Sequence, residues 1–204
     1  LELDYMPGTE RYNRQLLARY PMDFVIGSIH YVTVADEPMV KVWELPRLAA
    51  DSFLDKYFAQ LEALLESRLF DAVGHADTLL RAIPEDVFLR RFEPLIAPLV
   101  RSGIAYELNA SGLRKSSLDP TTGKEIAGRW SYPSRALLEK LLRNNVPLTI
   151  GSDAHDPRDA GTGIAELMEA LRPLGLQSIS YYQQRQRIDV LLDDLQFHTV
   201  PVSR

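Results

Sequence analysis

Short apolar runs alternate with longer amphipathic segments along the chain, and this alternation limits the fold more than any other feature. The apolar runs predict strands at 1–3, 24–30, 70–75, 104–109, 146–153 and 178–182. The amphipathic segments predict helices at 50–69, 87–100, 133–144 and 162–171. Because strands that alternate with helices pair in parallel through right-handed crossovers, we expect an α/β protein with a parallel sheet.

The motifs of the chain narrow this α/β class further. No GxGxxG segment follows a strand, and no GxxxxGK[ST] phosphate loop occurs. The remaining common arrangement is a (β/α) barrel or a fragment of one, with its active site at the carboxyl ends of the strands. The 204 residues contain no linker or repeat, so we expect a single domain at 1–204.

Charge and cysteine content exclude several classes of function. The 23 basic and 28 acidic residues give a net charge of −5, which makes binding to long nucleic acid or to an anionic membrane unlikely on electrostatic grounds. There is no cysteine, so disulfides and thiolate metal sites are excluded. No apolar run approaches the roughly 18 residues of a membrane helix. We expect a cytoplasmic protein without a membrane partner.

Three of the four histidines stand at or just past the end of a predicted strand. They are His30, His75 and His155, and Asp153 precedes the last of them as Asp-x-His. In a barrel these ends share one rim, and imidazole and carboxylate groups are ligands for Zn, Mn and Fe. A single histidine in such a place is more often a core or loop residue, but three in equivalent places favour a metal site. Glu2, in the first strand, would lie on the same rim.

Residues 109–115, at the end of the predicted strand 104–109, form a candidate phosphate site. Ser111, Arg114 and Lys115 offer a hydroxyl and two cations, and the arginine fork matches phosphate oxygens. Taken alone, such a segment is more often a solvated basic turn, and its place beside a metal rim favours the phosphate site. Asp77 follows His75 by two residues and could orient a histidine or protonate a leaving group, or simply cap the turn that follows. His198 is expected at the surface.

These segments, taken in order, resemble the PHP family of metal-dependent phosphoesterases, and most closely its histidinol-phosphatase branch. The matching stretches are 1–8 (LELDYMPG), 27–32 (GSIHYV), 74–77 (GHAD), 107–115 (ELNASGLRK), 132–134 (YPS) and 151–155 (GSDAH). The resemblance implies an irregular (β/α)7 barrel, two or three divalent ions and hydrolysis of a phosphomonoester. By motif it assigns metal ligands at Glu2, His30, His75, Asp153 and His155, and places Ser111 and Arg114 beside the substrate.

The chain also departs from the family pattern in two places. The family's first strand carries a His-x-His pair, whereas this chain begins at Leu1 and contains no such pair. We therefore expect an incomplete barrel without its first strands, whose unpaired sheet edge could join two copies of the chain. The loop at 33–46 does not align cleanly with the family, so the identity of the substrate stays open.

The resemblance implies a small phosphorylated substrate, L-histidinol phosphate, hydrolysed to L-histidinol and phosphate in histidine biosynthesis. Two alternatives stay open at this point. One is a PHP-type phosphoesterase or exonuclease acting on nucleotides or DNA ends. The other is a truncated form without catalytic activity.

Overall fold

A five-stranded parallel sheet forms the centre of the computed structural model, which describes residues 1–34, 39–119, 122–126 and 133–195. The strands are β1 (Glu2–Asp4), β2 (Ile26–Ser28), β3 (Tyr31–Val32), β4 (Val40–Lys41), β5 (Ala72–Val73), β6 (Ala105–Asn109), β7 (Ser117–Leu118), β8 (Glu125–Ile126), β9 (Leu148–Gly151), β10 (Ser178–Gln183) and β11 (Gln186–Leu191). The α-helices are α1 (Glu10–Arg19), α2 (Asp51–Ser67), α3 (Glu85–Phe92), α4 (Ile96–Ser102), α5 (Arg135–Arg143) and α6 (Ile164–Leu171).

The order of strands in the main sheet is β1-β2-β5-β6-β9, and every neighbouring pair is parallel. Since all five strands point the same way, their carboxyl ends lie along one edge of the sheet. The parallel sheet expected from the alternation of strands and helices is therefore confirmed. Within the described ranges β1 pairs with β2 alone, so it is an end strand of this sheet.

The last predicted strand belongs to a different structure. β10 pairs with β11 as an antiparallel hairpin, and the sequence analysis did not predict β11. Gln184 and Arg185 form the two-residue turn, both with positive φ (51° and 64°), the geometry of tight hairpin turns. The Tyr182 hydroxyl donates to the Asp71 carbonyl at 2.9 Å, just before β5. The hairpin thus contacts the amino-terminal end of the sheet, away from the edge where the strands finish.

The helices also differ from expectation in two places. The helix expected at 87–100 is divided into α3 and α4 by a 3₁₀ turn at Glu93–Leu95, since Pro94 lacks the N–H that a continuous helix needs. Helix α1 was not predicted because it carries no apolar stripe, and Asn13 is its one buried residue. Inside the 31–46 loop, β3 and β4 form a short antiparallel ladder.

Aromatic rings make up much of the core between the sheet and helices α2 and α3. Phe58, Phe88, Phe92 and Tyr106 form a chain of ring contacts with centroids 5.4 to 6.1 Å apart. No helix in the described ranges is long and apolar enough to cross a membrane. The predicted surface residue His198 and the Tyr132 of the YPS motif lie outside the described residues.

Candidate metal and phosphate site

The candidate ligands His30, His75 and Asp153 lie just past the carboxyl ends of their strands, whereas Glu2, which was expected at a strand end, is the first residue of β1. Glu2 is in β1, His30 follows β2 by two residues, and His75 follows β5 by two residues. His75 and Asp153 have positive φ angles of 25° and 49°, a backbone conformation that costs energy for residues other than glycine. Such strain is concentrated at functional sites, where the surrounding structure holds it in place.

Glu2, His30 and His75 form one compact group of ligand atoms. One atom from each residue lies within 4.8 Å of the others. The Nε2 atoms of the two imidazoles are 3.3 Å apart, and Glu2 Oε1 lies 3.3 Å from His75 Nε2 and 3.7 Å from His30 Nε2. Two nitrogens and one carboxylate oxygen converging on one point are a donor set that suits Zn, Mn or Fe, so these three residues fit a divalent metal ion.

Neighbouring polar groups fix the orientation of this cluster. The Ser28 hydroxyl donates to Glu2 Oε1 at 2.5 Å, and Asp4 Oδ1 lies 2.9 Å from His30 Nδ1. The backbone N–H of His30 donates to the same Asp4 oxygen at 3.0 Å. A carboxylate behind a histidine holds the ring and selects its tautomer. The sequence analysis missed Asp4, although its spacing of two from Glu2 along a strand places both side chains on one face.

The cluster perturbs the ionisation of its own members. Burial opposes ionisation of Glu2, but hydrogen bonds from His75 and Ser28 outweigh it and lower the pKa of Glu2 to about 2. Burial likewise opposes protonation of His75. The hydrogen bond to Glu2 and the negative charge of Glu107 together outweigh this effect, so the pKa of His75 is raised. Perturbed groups in a cleft are typical of functional sites.

Asp153 and Lys115 form the opposite side of the site. Lys115 Nζ donates to Asp153 Oδ2 at 2.6 Å, and the Ser111 hydroxyl donates to the same oxygen at 2.8 Å. Burial opposes ionisation of Asp153, but these hydrogen bonds lower its pKa. His155 is mostly exposed, and its Nδ1 lies 3.1 Å from the backbone carbonyl of Asp153. Ser111 itself is buried.

A cavity of about 170 Å³ connects the two sides. Its walls carry the candidate ligands together with basic and apolar side chains: His30, Val42, Trp43, His75, Thr78, Arg81, Lys115, Asp153 and His155. Arg81 and Lys115 are its two permanent cations. Arg81 was missed in the sequence, where it follows the GHAD motif inside an unremarkable apolar run.

Arg114 lies outside the walls of this cavity. Its guanidinium donates to the backbone carbonyls of Ser152 at 2.7 Å and Thr162 at 3.2 Å, and it lies 3.8 Å from Asp159. It therefore braces the segment that carries Asp153. A direct contact with substrate stays a prediction.

Asp77 lies beneath the cavity and is fully buried. The Tyr106 hydroxyl donates to its Oδ1 at 2.6 Å, while its Oδ2 has no hydrogen-bond partner among the described residues. Burial raises the pKa of Asp77 to about 7, against the effect of the Tyr106 hydrogen bond. Asp77 has no exposed surface, and its catalytic role stays a prediction.

Glu107 is a further buried acid that the sequence analysis did not single out. Its Oε2 accepts hydrogen bonds from the backbone N–H of His75 at 2.8 Å and from the Asn109 amide at 3.0 Å. Burial raises the pKa of Glu107. The Glu-x-Asn spacing within β6 was the available signal, because residues two apart in a strand face the same side.

Comparison with known proteins identifies the family of the chain. A family model described as the PHP domain matches residues 1–111, just over half of the chain. This chain belongs to the PHP family. A curated relative from Deinococcus radiodurans, named probable histidinol-phosphatase, is 28% identical over 190 residues, which cover 91% of this chain and 67% of that protein. One from Schizosaccharomyces pombe with the same name is 23% identical, over 87% of this chain and 60% of that protein.

A solved structure shows the same fold in another PHP-type protein. It is a histidinol phosphate phosphatase from Lactococcus lactis, complexed with zinc, L-histidinol and phosphate. The superposition gives a TM-score of 0.66 at 17% identity, and covers 92% of this chain and 70% of that one. The chain therefore spans between 60% and 70% of the length of these three proteins.

These findings confirm three predictions made from the sequence. They confirm the histidinol-phosphatase branch of the PHP family, the incomplete α/β barrel, and the general class, a phosphatase-type hydrolase. The individual site residues stay predictions, and so does the association of two copies through the sheet edge.

Proposed function

We propose that this chain is a metal-dependent phosphomonoesterase that hydrolyses L-histidinol phosphate to L-histidinol and phosphate, as a cytoplasmic step of histidine biosynthesis. The observation that carries the proposal is the convergence of Glu2, His30 and His75 beside a cavity that also presents Arg81 and Lys115. The names of the curated relatives and the ligands of the Lactococcus structure support the choice of substrate.

The residues divide into a metal side and a phosphate side. Glu2, His30 and His75 would hold a divalent ion, with Asp153 and His155 as further ligands. Such an ion supplies Lewis-acid activation of water and neutralises phosphate charge. The chemistry of the donor set admits Zn, Mn or Fe, and the resemblance to the family implies two or three ions in a complete site.

On the phosphate side, the chain provides fixed positive charge and a hydroxyl. Lys115 and Arg81 neutralise non-bridging oxygens, and their positions inside a small cavity reduce the cost of reorganisation as charge develops. Ser111 and Arg114 hold the segment that presents Lys115 and Asp153. Asp77 would act on His75 through its charge, since the Tyr106 hydroxyl is the group that bonds its carboxylate.

The test is phosphate release from L-histidinol phosphate by the chain as it stands. We expect turnover with Mn²⁺ supplied and none after chelation, because the cavity cations alone do not activate water. A nucleoside monophosphate and a DNA end serve as competing substrates. Faster turnover of either would favour the nucleotide alternative, and absence of all turnover with metal bound would favour a non-catalytic form.

Replacing Arg114 tests its predicted role in substrate binding. We expect Arg114→Ala to raise KM and lower kcat, because the loss of its bonds to the carbonyls of Ser152 and Thr162 shifts the Asp153 segment. Arg158→Ala is the control, since that exposed arginine bonds to Asp156 on the same loop. Steady-state kinetics that match the parent chain would remove Arg114 from the scheme.

A further inference from the structure

Trp43 stands at the mouth of the candidate site with about half of its side chain exposed. It is 49% exposed and lines the same cavity as His30, His75 and Asp153. Among the described residues of the cavity wall, Val42 and Trp43 are the two apolar side chains, and Val42 is buried. Trp43 is therefore the accessible apolar surface of an otherwise polar site.

The backbone around Trp43 is well held. Tyr31 and Lys41 are partners in the β3–β4 ladder, and the Val42 N–H donates to the His30 carbonyl at 3.0 Å. A turn then closes through the Glu44 N–H and the Lys41 carbonyl at 2.9 Å. The ring is thus fixed to the same strand end that carries a candidate metal ligand.

Aromatic and cationic neighbours surround the ring of Trp43. Its centroid is 6.2 Å from that of His30 and 5.5 Å from that of Tyr31, and Lys41 Nζ lies 5.8 Å from it. The cavity, at about 170 Å³, is smaller than the roughly 300 Å³ at the lower end of ligand pockets. A phosphate seated beside Lys115 would leave the organic part of its ester at the mouth, where Trp43 lies.

We infer that Trp43 is a specificity-determining residue that contacts the organic part of the phosphoester and favours a planar ring there. Aromatic faces attract other rings by stacking and attract cations through the ring quadrupole. The inference rests on the proposed function for the identity of the ester. It assigns a role to a loop that has no clean counterpart in the family motifs.

The kinetic test compares an ester that has a ring with one that has none. With L-histidinol phosphate, Trp43→Ala should raise KM about two- to twelvefold, the range of a lost aromatic contact, with kcat retained. With O-phosphoethanolamine, the same variant should behave like the parent. Trp43→Phe should bring KM most of the way back to the parental value. Tyr181→Ala, which removes an exposed aromatic side chain on β10, is the control and should leave KM unchanged. Equal effects on both esters, or no effect, would overturn the inference.

A binding measurement separates this inference from the proposed reaction. The chain has two tryptophans, so Trp130→Phe leaves Trp43 as the single indole reporter. With Zn²⁺ supplied, L-histidinol should quench its fluorescence saturably. If no ester is turned over, the proposed reaction fails, but saturable quenching still supports Trp43 as a ring contact. Absence of quenching overturns the inference whatever the kinetics show.

Discussion

Glu2→Gln is expected to lower phosphate release by about 100-fold or more, because a catalytic metal contributes several kcal/mol to the transition state. The amide keeps the shape of the side chain and its contact with Ser28, which is 2.5 Å away. It removes the negative charge beside His30 and His75, and with it the anionic ligand of the three-residue group. Metal content after dialysis against Zn²⁺, measured by mass spectrometry, should fall together with turnover.

A control separates the loss of this ligand from the loss of any acid. Glu169 is an exposed carboxylate on α6, and Glu169→Gln should leave metal content and turnover at the parental level. Thermal unfolding of metal-free Glu169→Gln should match the parent, whereas Glu2→Gln should unfold at a somewhat lower temperature because the ionised Glu2 is stabilised by His75 and Ser28. A Glu2→Gln protein that binds metal and releases phosphate like the parent would show that the group at Glu2, His30 and His75 is not the metal site.

The sequence was sufficient for the parallel sheet because its strands are short apolar runs between amphipathic helices, and this pattern has few solutions. The sequence was insufficient for elements whose formation does not depend on a pattern of apolar residues. Helix α1 buries little apolar surface, so its sequence has no apolar periodicity from which a helix could be predicted. The β10–β11 hairpin depends on two residues, Gln184 and Arg185, that adopt positive φ without being glycine or asparagine, so the turn has no sequence signal.

The residues of the candidate site also fall into two groups, those that a local sequence pattern predicts and those that only tertiary contacts bring to the site. His30 and His75 could be inferred because strand ends meet on one edge of a parallel sheet, and the structure brings their ligand atoms together with that of Glu2. Arg81 and Glu107 reach the site only through contacts more than 30 residues away in sequence, with Ser116 and His75 respectively. Contacts between residues so far apart in the sequence produce no periodic pattern from which they could be predicted. For Arg114, contact with a substrate stays a prediction, and in the structure its guanidinium donates to backbone carbonyls.

Phe88→Ala is expected to destabilise the chain by about 3–5 kcal/mol, the cost of removing a large aromatic ring from a closed core. Phe88 has no exposed surface and stacks on Phe92, with ring centroids 5.4 Å apart and an interplanar angle of 17°. Its other side contacts Phe58 at 5.6 Å. Phe92 in turn packs edge-on against Tyr106, whose hydroxyl bonds Asp77, so Phe88 is linked to Asp77 through two further aromatic side chains. Urea unfolding of the metal-free chain measures the loss as a lower midpoint.

Two variants show whether packing is the cause. Phe88→Leu keeps most of the apolar volume and should lose less than half of what Phe88→Ala loses, because the remaining space is smaller. Val100→Ala removes methyl groups from an exposed position on α4 and should leave the midpoint nearly unchanged. If all three variants unfolded at the same urea concentration as the parent, Phe88 would not be packed as this core requires. A midpoint that falls most for Phe88→Ala, less for Phe88→Leu and hardly at all for Val100→Ala would show that the packing of Phe88 between Phe58 and Phe92 stabilises the chain independently of any bound metal.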